Sequence, residues 1–152
     1  MPAAVEKLEE LPNTIRRFQE PDLCKHTWIM KRLTERFPHH NERSLATFLR
    51  GLFASNEYLF LYSDTGCALA QVISTFTLEA EPIVQERFVW CEDPNNALQV
   101  AAAAEFYSTI EHWAKGMGVS KMIVEDWSDV PHEKIREKLG RLFTTQMIFA
   151  RV

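Results

Sequence analysis

Residues 82–152 read PIVQERFVWCEDPNNALQVAAAAEFYSTIEHWAKGMGVSKMIVEDWSDVPHEKIREKLGRLFTTQMIFARV. The apolar, β-branched run at 83–91 predicts a strand, and the run at 93–115 predicts a long helix. The sequence then predicts a strand at 121–125, a short helix that ends at Gly140 and a last strand at 142–152. A strand that is entered from a helix pairs parallel with an earlier strand, so this order predicts a βαβ crossover.

The start of the long helix has its own signal. Asp93-Pro94 is a pairing typical of helix N-termini, with the acid as N-cap and proline in the first helical position. Gly116 and Gly118 are expected to end the helix. Its expected buried stripe comprises Phe106, Ile110, Trp113 and Met117.

The part of the chain before residue 82 predicts helices and antiparallel strands. The sequence predicts a polar N-terminal arm at 1–12 and one domain at 13–152. After a short strand around 14–18, one helix is expected from Pro21-Asp22 to Pro38, with Asp22 as its cap, and a second amphipathic helix follows. Runs at 58–62 and 67–78 predict a hairpin, and with the strand at 83–91 they form an antiparallel meander. We therefore expect an α+β fold with a mixed, mostly antiparallel sheet flanked by helices, whose strand at 83–91 separates from the strand at 121–125.

Composition excludes several classes of protein. The chain has 152 residues, 46% of them hydrophobic, and a net charge of −4, which predicts one globular domain without a general attraction for nucleic acid or anionic membranes. No apolar run reaches the length of about 20 residues that a membrane span needs. Three widely spaced cysteines are expected to be reduced cytosolic thiols, mostly buried, and no Cys or His spacing predicts a metal site.

Several segments together resemble the GNAT superfamily of N-acetyltransferases. IEHWAKGMGV at 110–119 resembles the end of that superfamily's central helix, and EKIREKLGR at 133–141 resembles its short helix that closes on a Leu-Gly-aromatic motif. Ile15-Arg16 followed by Pro21-Asp22 resembles its first strand and helix start. The resemblance covers roughly residues 13–152 and is nearest to small GNAT-like proteins of bacteria and their phages, some of which are virion components. It implies a GNAT-like fold, with acetyl-CoA as the cofactor wherever the superfamily's chemistry is retained.

The cofactor positions that the resemblance implies carry unusual residues. They lie on the strand at 83–91 and at the start of the long helix: Val89, Cys91, Leu98, Ala101 and Ala103. The superfamily's glycine-rich loop holds the CoA pyrophosphate on main-chain amides, whereas 93–103 contains no glycine. Glu92 and Asp93 place acid where a phosphate would bind. We therefore expect no cofactor, with acetyl-CoA as the alternative.

The expected catalytic position also departs from the superfamily. Arg136 stands where the resemblance places the tyrosine that acts as general acid, and a guanidinium cannot donate its proton near neutral pH. Tyr107 and the meander glutamates, Glu86 among them, are the remaining candidates for proton transfer.

These departures predict a non-catalytic binding or assembly module, with a protein partner or a second copy of the chain, in the cytoplasm of a cell or phage host or in a virion. The alternative is an active acetyl-CoA-dependent N-acetyltransferase that acts on a small amine or a protein lysine. Acidic residues at 92–93 and 125–129 leave a further choice open, between a site for a cationic partner and solvated loop acids that cap a helix.

Overall fold

The computed structural model describes residues 15–73, 82–125, 128–139 and 144–148, and within them the chain forms one six-stranded sheet with helices on both faces. The strands are β1 (Arg16–Arg17), β2 (Tyr58–Tyr62), β3 (Gly66–Ile73), β4 (Ile83–Cys91), β5 (Lys121–Glu125) and β6 (Thr144–Ile148). The helices are α1 (Asp22–Lys25), α2 (Thr27–Arg36), α3 (Glu42–Phe53), α4 (Ala97–Gly116) and α5 (His132–Lys138). The predicted α+β class is confirmed. The predicted arm at 1–12 lies outside the described residues.

The strands lie in the sheet in the order of the sequence, from β1 to β6. The pairs β1–β2, β2–β3 and β3–β4 are antiparallel, whereas β4–β5 and β5–β6 are parallel. Helix α4 connects β4 to β5, and α5 connects β5 to β6. The predicted meander and βαβ crossover are therefore both confirmed.

Strand β4 is longer than its pairing with β5. The two strands pair from Val84–Met122 to Glu86–Val124, while β4 itself continues to Cys91. Residues 87–91 of β4 therefore lie beyond the parallel pairing, as the predicted separation of these strands requires. This end of β4, which pairs with β3 but not with β5, positions the candidate site.

A β-bulge in β4 changes which side chains face each side of the sheet. Leu69 of β3 pairs with Phe88 and Ala70 pairs with Glu86, so Arg87 is an extra residue on β4. One hydrophobic core lies between the sheet and α4, and is called the α4-side core here. Before the bulge, Glu86 pairs with Ala70, which belongs to this core, and after the bulge Val89 and Cys91 belong to the same core. Phe88 and Trp90 belong to the core on the opposite face.

Two hydrophobic cores therefore lie against the sheet. The first contains Phe106, Tyr107 and Ile110 of α4, together with Ile135 of α5. The second contains the buried side chains of α2 and α3, among them Leu33 and Leu49. Most of the stabilisation comes from burying these apolar faces, because each fully buried Leu, Ile or Phe contributes about 1.5–3 kcal/mol.

The start of α4 differs from the sequence prediction. Its N-cap is Asn96, whose side chain accepts hydrogen bonds from the backbone N–H groups of Leu98 and Gln99. The prediction that Asp93 caps this helix is wrong, because residues 93–96 form a turn in which Asp93 Oδ1 accepts from the Asn95 N–H at 3.0 Å. A short amide side chain in extended backbone next to the first helical residue is a better cap than an acid three residues earlier.

The first predicted helix is divided in two. The backbone of His26 leaves helical geometry at φ −116° and ψ 63°, so α1 ends before it and α2 begins after it. Asp22 is the first residue of α1 rather than its N-cap, and its carboxylate accepts from the Gln19 N–H at 2.8 Å.

None of the helices in the described ranges is long and apolar enough to cross a membrane.

Candidate functional site at the end of strand β4

The main-chain polar groups at the end of β4 are bound by the protein itself. The Asp129 N–H donates to the Val89 carbonyl oxygen at 3.0 Å. The Asp129 carboxylate, through Oδ2, accepts from the Cys91 N–H at 2.9 Å. The Arg32 guanidinium of α2 donates to the Cys91 carbonyl oxygen at 2.7 Å.

Asp129 thereby binds the edge of β4 that continues beyond the pairing with β5. A ligand laid along a strand end binds through the strand's free N–H and C=O groups. The Val89 carbonyl and both the N–H and the carbonyl of Cys91 already have partners, and the side chains of both residues are buried. Asp129 Oδ1 also lies 3.6 Å from Nη2 of Arg36, on α2. This ion pair connects the loop before α5 to a helix on the opposite face of the sheet.

A chain of buried hydrogen bonds lies directly behind this strand end. The Tyr107 hydroxyl of α4 donates to Ser128 Oγ at 2.9 Å, and Ser128 Oγ donates to Glu86 Oε1 at 2.6 Å. Tyr107 and Glu86 are 0% exposed. The structure thus brings together, through Ser128, the two residues that the sequence singles out for proton transfer.

The environment of Tyr107 decides what its hydroxyl can do. Burial raises the pKa of Tyr107 well above its ordinary value, and the nearby Glu86 carboxylate raises this pKa further. A general acid is efficient when its pKa lies near the working pH. The Tyr107 hydroxyl therefore keeps its proton at neutral pH and acts as a hydrogen-bond donor to Ser128. A catalytic role for Tyr107 and Glu86 stays a prediction.

The three positions expected to hold the cofactor on α4 do not form one surface. Leu98 is 80% exposed, whereas Ala103 is buried against the sheet with 1% exposure, and Ala101 is between these extremes. The N–H groups of Leu98 and Gln99, at the start of the helix, donate to Asn96 Oδ1 at 3.0 and 3.3 Å. A phosphate at this helix end would have to displace the Asn96 side chain.

The acids and the arginine singled out by the sequence lie on the surface. Glu92 and Asp93 are exposed just before α4, where their charge disfavours an anionic ligand. Arg136, at the position expected for the general acid, is exposed on α5. That the chain binds no CoA at these positions stays a prediction.

Two residues that organise the site, Ser128 and Asp129, are not among the catalytic or cofactor positions predicted from the sequence. Ser128 and Asp129 were grouped only with the loop acids, although Ser128 connects Tyr107 to Glu86 and Asp129 binds the end of β4. The only sequence signal for this segment is its position directly after β5, where open sheets place functional loops. Among the residues that the structure describes, no group of three or more His, Cys, Asp or Glu side chains could hold a metal ion.

Comparison with solved structures identifies the fold. The aminoglycoside antibiotic 6'-N-acetyltransferase AAC(6')-IG from Acinetobacter haemolyticus, solved in its apo form, matches 91% of this chain and 97% of its own length, with a TM-score of 0.56 and 18% sequence identity. An acetyltransferase from Vibrio fischeri matches 72% of this chain and 93% of its own length, with a TM-score of 0.50 and 18% identity. No protein-family profile and no curated protein matches the sequence significantly. The chain has a GNAT-like fold, as the sequence resemblance predicts.

Proposed function

We propose that this protein is a GNAT-fold binding module that does not use acetyl-CoA. The observation that carries the proposal is the double contact of Asp129 with β4, through its N–H to Val89 and its carboxylate to Cys91. These bonds, with that of Arg32, occupy the strand end along which a cofactor would lie. The proposal includes a structural role for Tyr107, Ser128 and Glu86, whose hydrogen bonds satisfy polar groups inside the α4-side core.

The charge at the helix start supports the same proposal. Asn96 already accepts from the N–H groups of Leu98 and Gln99, and Glu92 and Asp93 add negative charge beside them. A phosphate group of CoA binds best to free main-chain N–H groups in a positive electrostatic potential. Here Asn96 already accepts from those N–H groups, and the two acids make the potential more negative.

Isothermal titration of the full chain with acetyl-CoA and with CoA tests the proposal. We expect no heat of binding with either ligand at concentrations up to about 1 mM. The Acinetobacter haemolyticus enzyme, titrated with acetyl-CoA under the same conditions, serves as the positive control. Micromolar binding of either ligand to the unmodified chain would overturn the proposal.

The alternative is an active acetyl-CoA-dependent N-acetyltransferase, since the two solved structures that share this fold are acetyltransferases. Mass spectrometry of small amines and lysine peptides incubated with acetyl-CoA separates the two candidates. Under our proposal the amount of acetylated product equals that of the protein-free control. Product formation that depends on the chain would establish the alternative instead.

A protein partner, a second copy and a place in a virion remain predictions from the sequence. Light scattering of the purified chain over a range of concentrations tests the second copy.

A further inference from the structure

A cavity of about 370 Å³ lies on the face of the sheet opposite to α4, between α2, α3 and the strands. This volume lies within the range of about 300–1,000 Å³ that is typical of small-molecule sites. The described residues that line it come from three helix and loop segments and three strands: Leu33, Arg36, Phe37, His40, Leu45, Phe48, Leu49, Phe60, Leu69, Arg87, Phe88 and Trp90. Arg36 is the lining residue that contacts the candidate site on the α4 side, through Asp129.

Aromatic rings form one wall of this cavity. Phe88 and Trp90 stack with ring centroids 4.1 Å apart and an interplanar angle of 16°. Phe37 lies 5.8 Å from Trp90, centroid to centroid, and is 38% exposed, while Phe48 on α3 is 49% exposed. Phe37 and Phe48 thus leave apolar ring surface in contact with water beside a preformed cavity, which a flat apolar ligand would cover.

The ionisable residues of the cavity are all of the basic type. Arg36, Arg87 and His40 line it, and no acidic side chain does so among the described lining residues. This local bias runs against the composition of the chain, which has 21 acidic and 17 basic residues. An anion is therefore the ligand charge that this cavity favours.

Arg36 is already oriented toward the aromatic wall. Its guanidinium carbon lies 4.6 Å from the Trp90 ring centroid, and Nη2 lies 3.6 Å from Asp129 Oδ1. A guanidinium has five N–H donors, so one ion pair leaves donors for a second carboxylate. Arg87, the extra residue of the β4 bulge, supplies the other guanidinium of the lining.

We propose that this cavity binds a small aromatic carboxylate, with its rings against Phe37, Phe48 and Trp90 and its carboxylate on Arg36 and Arg87. The ring wall selects a planar apolar body, and the two guanidinium groups select a negative head. This inference goes beyond the proposed function and does not depend on the loss of CoA binding, because it uses the other face of the sheet.

Isothermal titration with three ligands of the same shape tests the proposal. The probes are 1-naphthaleneacetate, its neutral amide 1-naphthaleneacetamide, and the cationic 1-naphthaleneethylamine. We expect binding of the carboxylate at concentrations below about 1 mM, weaker binding of the amide and weakest binding of the amine. Acetate, which lacks the rings, is expected not to bind. Equal binding of the three naphthalene ligands, or binding of none, would overturn the proposal.

Matched variants locate the ligand in the cavity. Arg87→Ala and Phe48→Ala should each weaken carboxylate binding by about five- to tenfold, since each removes one of the contacts from a surface position that folding tolerates. Arg43→Ala and Met117→Ala remove an exposed arginine and an exposed apolar side chain outside the cavity, and should leave the affinity unchanged. Circular dichroism of all four variants checks that the fold is intact.

The same variants exclude the competing occupant, a second copy of the chain. If the apolar rim is a self-association surface, light scattering will show a dimer that Phe48→Ala dissociates, and this result would overturn the proposal. Loss of affinity in Arg43→Ala or Met117→Ala as large as in the cavity variants would also overturn it, because the ligand would then bind nonspecifically.

Discussion

Gly66, the first residue of β3, lies against the backbone of β4. A Cβ added at this position would be 2.6 Å from the Trp90 carbonyl oxygen and 3.2 Å from a ring carbon of Phe106. Because the nearer atom belongs to the backbone of a paired strand, it cannot move without disturbing the sheet. Gly66 is therefore needed for the close approach of the two strands next to the candidate site.

We expect Gly66→Ala to lower the free energy of unfolding by about 1–3 kcal/mol, the usual cost of forcing an extra carbon into a packed region. Gly51→Ala is the matched control, because Gly51 lies in α3 and a Cβ there would meet nothing within 4 Å. That control should raise the free energy of unfolding by about 0.5–1 kcal/mol, since alanine is the better helix former. Urea unfolding of the two variants measures both changes, and a stabilised Gly66→Ala would contradict the close approach.

At the scale of the element, helix α4 shows where the sequence prediction succeeds and where it fails. The helix is predicted because its apolar stripe is long, and its observed end at Gly116 is one residue beyond the expected end. Phe106 and Ile110 of the expected stripe are buried, Trp113 is partly buried, and Met117 is wrong, because it lies past the helix end and is 40% exposed.

The start of the helix is displaced because Asp93, Asn95 and Asn96 all have cap-forming side chains within the same four-residue turn. The N-cap propensities of these residues do not decide which of them caps the helix, because that depends on the path by which the chain leaves β4.

Asn96→Ala should lower the free energy of unfolding by about 1 kcal/mol, because it leaves the N–H groups of Leu98 and Gln99 without their acceptor. Asp93→Ala is the comparison, and we expect a smaller effect, since the Asp93 carboxylate accepts only from Asn95 within the exposed turn. Thermal and urea unfolding of the two variants measure the difference. A larger loss in Asp93→Ala would restore the acid as the effective cap.

Strand β4 shows a second limit of prediction from sequence. Its bounds, 83–91, are the predicted ones, yet the bulge at Arg87 is not visible in the apolar pattern. One extra residue exchanges the faces of all the side chains that follow it. The bulge thus places Glu86 and Val89 on the same face, and sequence alternation alone would have placed them on opposite faces. The contacts of Asp129 with β4 are equally hidden in the sequence, because the nearer of the two partners, Cys91, is 38 positions away.

At the scale of the whole molecule, a buried cysteine thiol and two buried tyrosine hydroxyls hold their protons more tightly in the folded state than in water. Burial raises the pKa of the Cys67 thiol to about 12, from an ordinary value of 9.0. Burial also raises the pKa values of Tyr62 and Tyr107 above 10.0. A raised pKa contributes stability that is complete below the unfolded-state value and is lost as pH rises toward the folded-state value.

We therefore expect the free energy of unfolding to fall as pH rises above 9, with Cys67 contributing a slope of at most about 1.4 kcal/mol per pH unit between pH 9 and 12. Urea unfolding at several pH values between 8 and 11 gives this slope. Cys67→Ala should make the slope shallower, whatever it does to the stability at pH 8. Cys24→Ala, at an exposed thiol, should leave the slope unchanged. Identical slopes for the unmodified chain and Cys67→Ala would show that the Cys67 thiol ionises equally in both states.

The sequential order of the strands has a consequence for how the chain reaches this structure. The β2–β3–β4 meander joins neighbours in the sequence, so its hairpins close short loops, whereas β5 can pair with β4 only after the 20 residues of α4 have crossed the sheet. Contacts between nearby residues cost less chain entropy and form earlier. Folding should therefore begin in the antiparallel half, and the parallel half should dock onto it later. Pulse-labelled hydrogen exchange should then protect amides of β2 and β3 before those of β5, and the reverse order would place the nucleus in the βαβ crossover.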